Sequence, residues 1–124
     1  MIKLVYCVAK RADMSLEDFR EYWSTDHPPL VKRLAEALGA RKYIQSHTID
    51  TEINDAFIQS RGLEQAYDGI TEVWFDSLDS LVAHAETEAG EEADRSLKED
   101  EKKFIDLSQS RVFLTEEHVI FDQT

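Results

Sequence analysis

Residues 2–9, Ile2-Lys3-Leu4-Val5-Tyr6-Cys7-Val8-Ala9, decide the fold. They alternate, yet both registers are apolar. Ile2, Leu4, Tyr6 and Val8 point one way; Val5, Cys7 and Ala9 point the other. A strand of this kind is buried on both faces.

Working outward, Ser15-Leu16-Glu17-Asp18 has the form of a helix start. The Ser15 hydroxyl can accept from a free backbone N–H, and acids in the first turn suit the helix dipole. Leu16, Phe19, Trp23, Leu30, Leu34 and Leu38 form a stripe of period near 3.6, and His27 falls at its gap. Pro28 and Pro29 cannot donate backbone bonds, so the spacing predicts a break or kink there and two helical pieces, about 16–24 and 28–38. Gly39 ends the second.

Residues 41–49 alternate as a second strand. Tyr43, Gln45, His47 and Ile49 lie on one face, with Lys42, Ile44, Ser46 and Thr48 on the other. Residues 51–67 lack a strand pattern and can form a short helix; a connector of this length is often functional or mobile. Residues 69–76 read as a third strand, with Val73 and Phe75 opposite Ile70, Glu72 and Trp74. Asp79 is a candidate cap for a helix carrying Leu78, Leu81, Val82 and Ala85. In 91–107 the pairs Glu91/Arg95, Asp94/Lys98 and Glu99/Lys103 mark the solvent side of a helix, with Leu97, Phe104 and Leu107 as its seam. Residues 111–115 read as a fourth strand, and Val119-Ile120-Phe121 as an apolar tail.

The order is strand, helix, strand, strand, helix, strand: an α+β, ferredoxin-like βαββαβ pattern with helices on one face of a four-stranded antiparallel sheet. Residues 1–124 are read as one domain. The helices can cover only one sheet face, so the other is expected to meet a second copy of the chain, two sheets closing into one barrel as a homodimer.

Composition narrows the partners. The net charge is −12, and no basic patch offers itself to phosphates or anionic lipid, so neither nucleic acid nor membrane is an expected partner. The single cysteine, Cys7, and the lack of a signal-like start favour the cytoplasm. The histidines at 27, 47, 84 and 118 have no metal-ligand spacing, and the four glycines form no phosphate loop. No bound cofactor or metal is expected.

Met14-Ser15-Leu16-Glu17-Asp18-Phe19-Arg20-Glu21-Tyr22-Trp23, followed by His27-Pro28-Pro29-Leu30-Val31, resembles the signature of the EthD family of dimeric α/β-barrel proteins. Gly69-Ile70-Thr71-Glu72-Val73-Trp74-Phe75-Asp76-Ser77 resembles that family's third strand. The resemblance implies a ferredoxin-like homodimer with a pocket in each protomer. The wider superfamily includes polyketide cyclases, muconolactone isomerases, cofactor-free monooxygenases and haem-degrading enzymes, and EthD itself is linked to ether degradation. The N-terminal half is also similar to the methylmuconolactone methylisomerase branch, with a histidine at the position of His27 and a tyrosine at that of Tyr43. That branch's third-strand cysteine is replaced here by Val73, and residues 50–68 contain no loop histidine.

His27 is the leading candidate for proton transfer, on the buried stripe and at a helix start, where the dipole favours neutral imidazole; its alternative role is to cap the second helical piece. Tyr43, as a hydrogen-bond donor, joins it as a catalytic candidate. His47, Trp74, Tyr6 and Val73 are candidate ligand contacts, although Trp74 and Tyr6 suit core or dimer packing equally well. Glu72 reads as one half of an ion pair. The expected ligand is a small hydrophobic carbonyl or aromatic compound. The chemistry expected is cofactor-free proton transfer, isomerisation or cyclisation; the alternatives are a non-catalytic binding protein of a degradation pathway, or a cofactor-free or haem-assisted monooxygenase.

Overall fold

A computed structural model describes all residues, Met1–Thr124. Strand β1 (Ile2–Val8) leads to helix α1 (Leu16–Glu21), a π-helical turn (Tyr22–Asp26) and α2 (His27–Leu38). Then come β2 (Ala40–His47), α3 (Glu52–Arg61), β3 (Gly69–Phe75), α4 (Leu78–Ala85), α5 (Glu88–Glu101), a 3₁₀ turn (Leu107–Gln109) and β4 (Arg111–Glu116). The sheet order is β2-β3-β1-β4 and every pairing is antiparallel. This is the ferredoxin-like arrangement expected, with α3 and α4 added to it.

The register fixes which side chains share a face. Leu4 lies opposite Val73 and Leu114, Tyr6 opposite Thr71 and Val112, and Tyr43 opposite Val73. With Ile2, Val8, Gln45, His47 and Phe75 they form the face beneath the helices. Lys3, Val5, Cys7, Ile44, Ile70, Glu72, Trp74 and Phe113 form the open face. Of these, Ile44, Ile70 and Phe113 are exposed, and Lys3 Nζ pairs with Glu72 at 2.7 Å, as expected for Glu72.

Two helical pieces separated by a break or kink were expected around the prolines. Instead the chain stays helical throughout. Pro28 and Pro29 occupy the first turn of α2, where a missing N–H costs little. The N–H of His27 bonds back to Tyr22 O, five residues earlier, and this widened turn accommodates the proline rings. Ser15 caps α1 through the Asp18 N–H. Gly39 ends α2 at φ 73°, a left-handed conformation that glycine adopts without steric cost.

Other boundaries also move. β2 ends at His47, leaving Ile49 exposed. Residues 51–67 do contain a helix, α3, capped by Thr51. Ser77, not Asp79, caps α4, since its side chain accepts from the Ser80 N–H. α5 starts at Glu88 and stops at Glu101, so Phe104 and Ile105 reach the core from the segment after it. On its outer side Asp94 pairs with Lys98 as expected, but Glu99 takes Lys102, and Lys103 turns to Asp100.

The core gathers at one end of the sheet. Val8, Phe19, Trp23, Phe104 and Ile105 are buried together. Gly69 lies directly beneath Trp23, and a Cβ there would collide with the indole ring. Burying side chains of this size contributes on the order of 1.5–3 kcal/mol each.

Candidate functional site

The core seals only part of the face beneath the helices. Val8, Gly69 and Phe75 are buried, but Leu4, Tyr6, Val73 and Tyr43 remain half-buried, and Val112 and Leu114 on the edge strand are exposed. A complete helix layer would bury the central-strand residues Leu4 and Val73. What remains is an apolar strip running across the sheet, carrying two phenols.

Tyr43 and Tyr6 supply its polar groups. Gln45 Nε2 donates to Trp23 O at 2.7 Å and to the Tyr43 hydroxyl at 3.2 Å, tying β2 to the π-helical turn. Burial pushes the Tyr43 phenol up, partly offset by the hydrogen bonds around it. The Tyr6 hydroxyl donates to Glu101 Oε1 at 2.8 Å, and burial and the neighbouring carboxylate push that phenol up strongly.

His47 shares this face at its sealed end. Its ring stacks on Trp23 at 4.2 Å and its Nε2 lies 2.9 Å from Gln45 Oε1. Burial and the charge of Arg20 hold its pKa below the ordinary value.

His27 is buried between α2 and the end of α5. Its Nδ1 lies 2.6 Å from Asp100 Oδ2, and its ring packs on Phe104 at 5.0 Å. Tyr22 donates to the other Asp100 oxygen at 2.5 Å. Burial alone would raise the Asp100 carboxyl; the bonds from Tyr22 and His27 outweigh it and leave it below the ordinary value. His27 therefore makes its polar contact with α5 and shares no hydrogen bond with Tyr43.

Five of the six residues singled out from sequence, His27, Tyr43, His47, Tyr6 and Val73, lie on the helix side of the sheet. Trp74 lies on the opposite face. There the ammonium groups of Lys42 and Lys3 stand 4.6 and 5.4 Å from its ring, and its indole N–H donates to Glu117 at 2.6 Å.

Two residues had not been singled out: Asp100 and Glu101. They sit in a charged helix, yet both turn inward. Burial raises the Glu101 carboxyl despite the Tyr6 bond, and no cation pairs with it. The clue was their phase: 100 and 101 fall three and four residues after Leu97 and before Phe104 and Ile105, on the seam itself. No group of three or more His, Cys, Asp or Glu side chains is placed to hold a metal ion, and no helix is long and apolar enough to cross a membrane.

A family model described as the EthD domain matches residues 11–108. Among solved structures, the chain is similar to an EthD family protein from Bacillus halodurans. The identity is 19% and the TM-score 0.63, over 95% of this chain and 99% of that one. It is also similar to a dimeric protein of unknown function with a ferredoxin-like fold from Bacteroides fragilis (12% identity, TM-score 0.57, 94% and 95% covered). A third likeness is to SnoaB, a cofactor-independent oxygenase from Streptomyces nogalater (8% identity, TM-score 0.55, 98% and 97% covered). No curated protein matches the sequence. At these identities the structural likenesses carry the fold alone.

Proposed function

The chain belongs to the EthD domain family, and on that premise we propose that it binds a small hydrophobic carbonyl or aromatic compound beneath its helices and catalyses a cofactor-free proton transfer on it. The observation that carries this reading is the half-covered strip of Leu4, Val73 and Leu114 beside the Tyr6 and Tyr43 phenols. Apolar walls with a few polar groups suit such a ligand. Tyr43 donates to the ligand's carbonyl oxygen, and Val73 and Tyr6 wall the strip. His47 closes its sealed end. His27 stands behind the site: its hydrogen bond to Asp100 ties α2 to α5, and its ring packs on Phe104 just after that helix.

The open face completes the proposal. Its exposed Ile44, Ile70 and Phe113 are covered by a second copy of the chain, with Trp74 in that contact. Neighbouring folds are described as dimeric. Sedimentation at micromolar concentration is expected to show two chains; one chain overturns this part.

The binding test uses methyl-labelled protein and benzylacetone, a neutral aromatic ketone. The Leu4, Val73 and Leu114 methyl signals are expected to shift on titration, and the Ile44 and Ile70 signals to stay. Unchanged strip signals at millimolar ketone overturn the reading.

A further inference from the structure

We propose that Glu101 is the catalytic base of the strip and that Tyr6 positions its carboxylate. This rests on the ligand-binding reading above and adds to it the group that moves the proton and the bond it breaks, a C–H next to a carbonyl.

Four observations support it. The position of Glu101 is built: it is the last residue of α5, and the Tyr6 hydroxyl holds its Oε1 at 2.8 Å. Tyr6 itself stands between Leu4 and Val8 on β1, on the half-covered face. The carboxylate is also unspent. Oε2 accepts no hydrogen bond from the protein, and no lysine or arginine pairs with the group. On the neighbouring residue, Asp100, Tyr22, His27 and Lys103 take up both oxygens. Third, the register puts Tyr6, whose hydroxyl holds Glu101, on the same sheet face as Tyr43. Finally, the environments of these adjacent carboxyls drive them apart, Asp100 down and Glu101 up. A carboxyl raised toward the working pH makes the stronger base, and separated neighbours of this kind mark acid–base assignments.

In the step, Oε2 of ionised Glu101 takes a proton from the carbon next to the carbonyl. The C–H electron pair moves into the C–C bond, and the carbonyl π pair moves onto oxygen, giving an enolate. The Tyr43 hydroxyl donates to that oxygen. Return of the proton from Glu101 to the same carbon restores the ketone; in an unsaturated ketone the enolate charge extends through the C=C bond, and return of the proton to its far carbon moves that double bond. No oxidant or reductant is needed. The titratable and charged groups around Glu101 are Tyr6 on β1, Tyr43 on β2, and Asp94, Lys98 and Asp100 along α5.

The test is deuterium uptake by benzylacetone in D₂O, followed by proton NMR beside the methyl-shift titration. The wild-type chain is expected to speed uptake next to the carbonyl, with a rate that rises as a single carboxyl ionises above the ordinary glutamate range. Glu101→Gln keeps an acceptor for Tyr6 and is expected to keep the methyl shifts but lose about 10²–10⁴-fold in uptake. Tyr6→Phe removes a bond that favours the ionised form, so the midpoint of the rate profile should move to higher pH. Should Glu101→Gln fail to fold, Glu101→Asp, which still titrates, is expected to keep the profile's shape at a much lower rate. Strip shifts without wild-type uptake overturn the role of Glu101 and leave the binding reading standing, as does uptake that survives Glu101→Gln. Absence of strip shifts overturns both.

Discussion

Asp100 and Glu101 are consecutive carboxyls at the end of one helix, and they face different neighbourhoods. Asp100 looks toward α2 and the π-helical turn, where Tyr22 and His27 bond to it and the Lys103 ammonium approaches to 3.4 Å. Glu101 looks toward the sheet, where a single phenol holds one oxygen. About 100° of helical rotation separates a saturated carboxylate from one with capacity to spare. A saturated group fixes structure, because its charge is already committed. A group with a free oxygen against a half-covered apolar strip can accept a proton. The contrast also shows why His27 lies away from the strip: its partner is on the saturated side.

The largest effect that could break this contrast is on stability. His27→Ala removes one member of a buried pair and opens a space against Phe104. Urea unfolding is expected to show a loss of about 3 kcal/mol, the low end for breaking a buried pair, because Tyr22 and Lys103 still reach Asp100. A loss under about 1 kcal/mol would mean that His27 ties nothing down.

Tyr22→Phe and Tyr6→Phe sharpen the comparison at smaller scale. Each deletes one phenol–carboxylate bond. On the Asp100 side the acceptor is held ionised, and a bond to a charged group is worth about 1.5–3 kcal/mol. On the Glu101 side burial disfavours the ionised form, so about 1 kcal/mol or less is expected. Equal losses at neutral pH in urea would erase the distinction between the two sides.

The legibility of these regions in the sequence follows from what each pattern encodes. Strand alternation is a period of two, and within each strand it grouped Leu4 with Tyr6, Tyr43 with His47, and set Val73 opposite Trp74; which faces of the three strands coincide is fixed by the pairing register, which no single strand encodes. The stripe through Phe19 and Trp23 put His27 inside, and Ser15 and Gly39 marked helix ends through local chemistry. The π-helical turn left no trace, because Trp23 and His27, four apart, fit an α-helix equally well. Asp100 and Glu101 were hidden by their company. In a stretch crowded with acid–base pairs, charge suggested solvent, and only the seam of Leu97 and Phe104 pointed inward. Hydrogen-bond partners on β1 and α2, 95 and 73 residues away, are set by tertiary packing and have no local signature.

The smallest effect is the dependence of stability on pH, where the two carboxyls should act with opposite signs. Asp100 is held below its ordinary value in the folded chain. Between that lowered value and the ordinary one, near 3.9, the unfolded chain binds more protons, so stability rises with pH and the gain is complete above that range. Glu101 is raised. From the ordinary glutamate value, near 4.3, up through its folded value, the folded chain binds more protons, so stability falls as pH rises. Neutral variants isolate each contribution, since all other titrations cancel in the difference. The stability of Asp100→Asn relative to wild type is therefore expected to fall as the acid range is left behind. That of Glu101→Gln is expected to climb as pH rises above the ordinary glutamate value and to level off above the folded-state midpoint. That midpoint should coincide with the one in the deuterium-uptake profile. Curves that bend the same way would mean that both carboxyls are committed to the fold, and Glu101 would then have no free charge to offer a ligand.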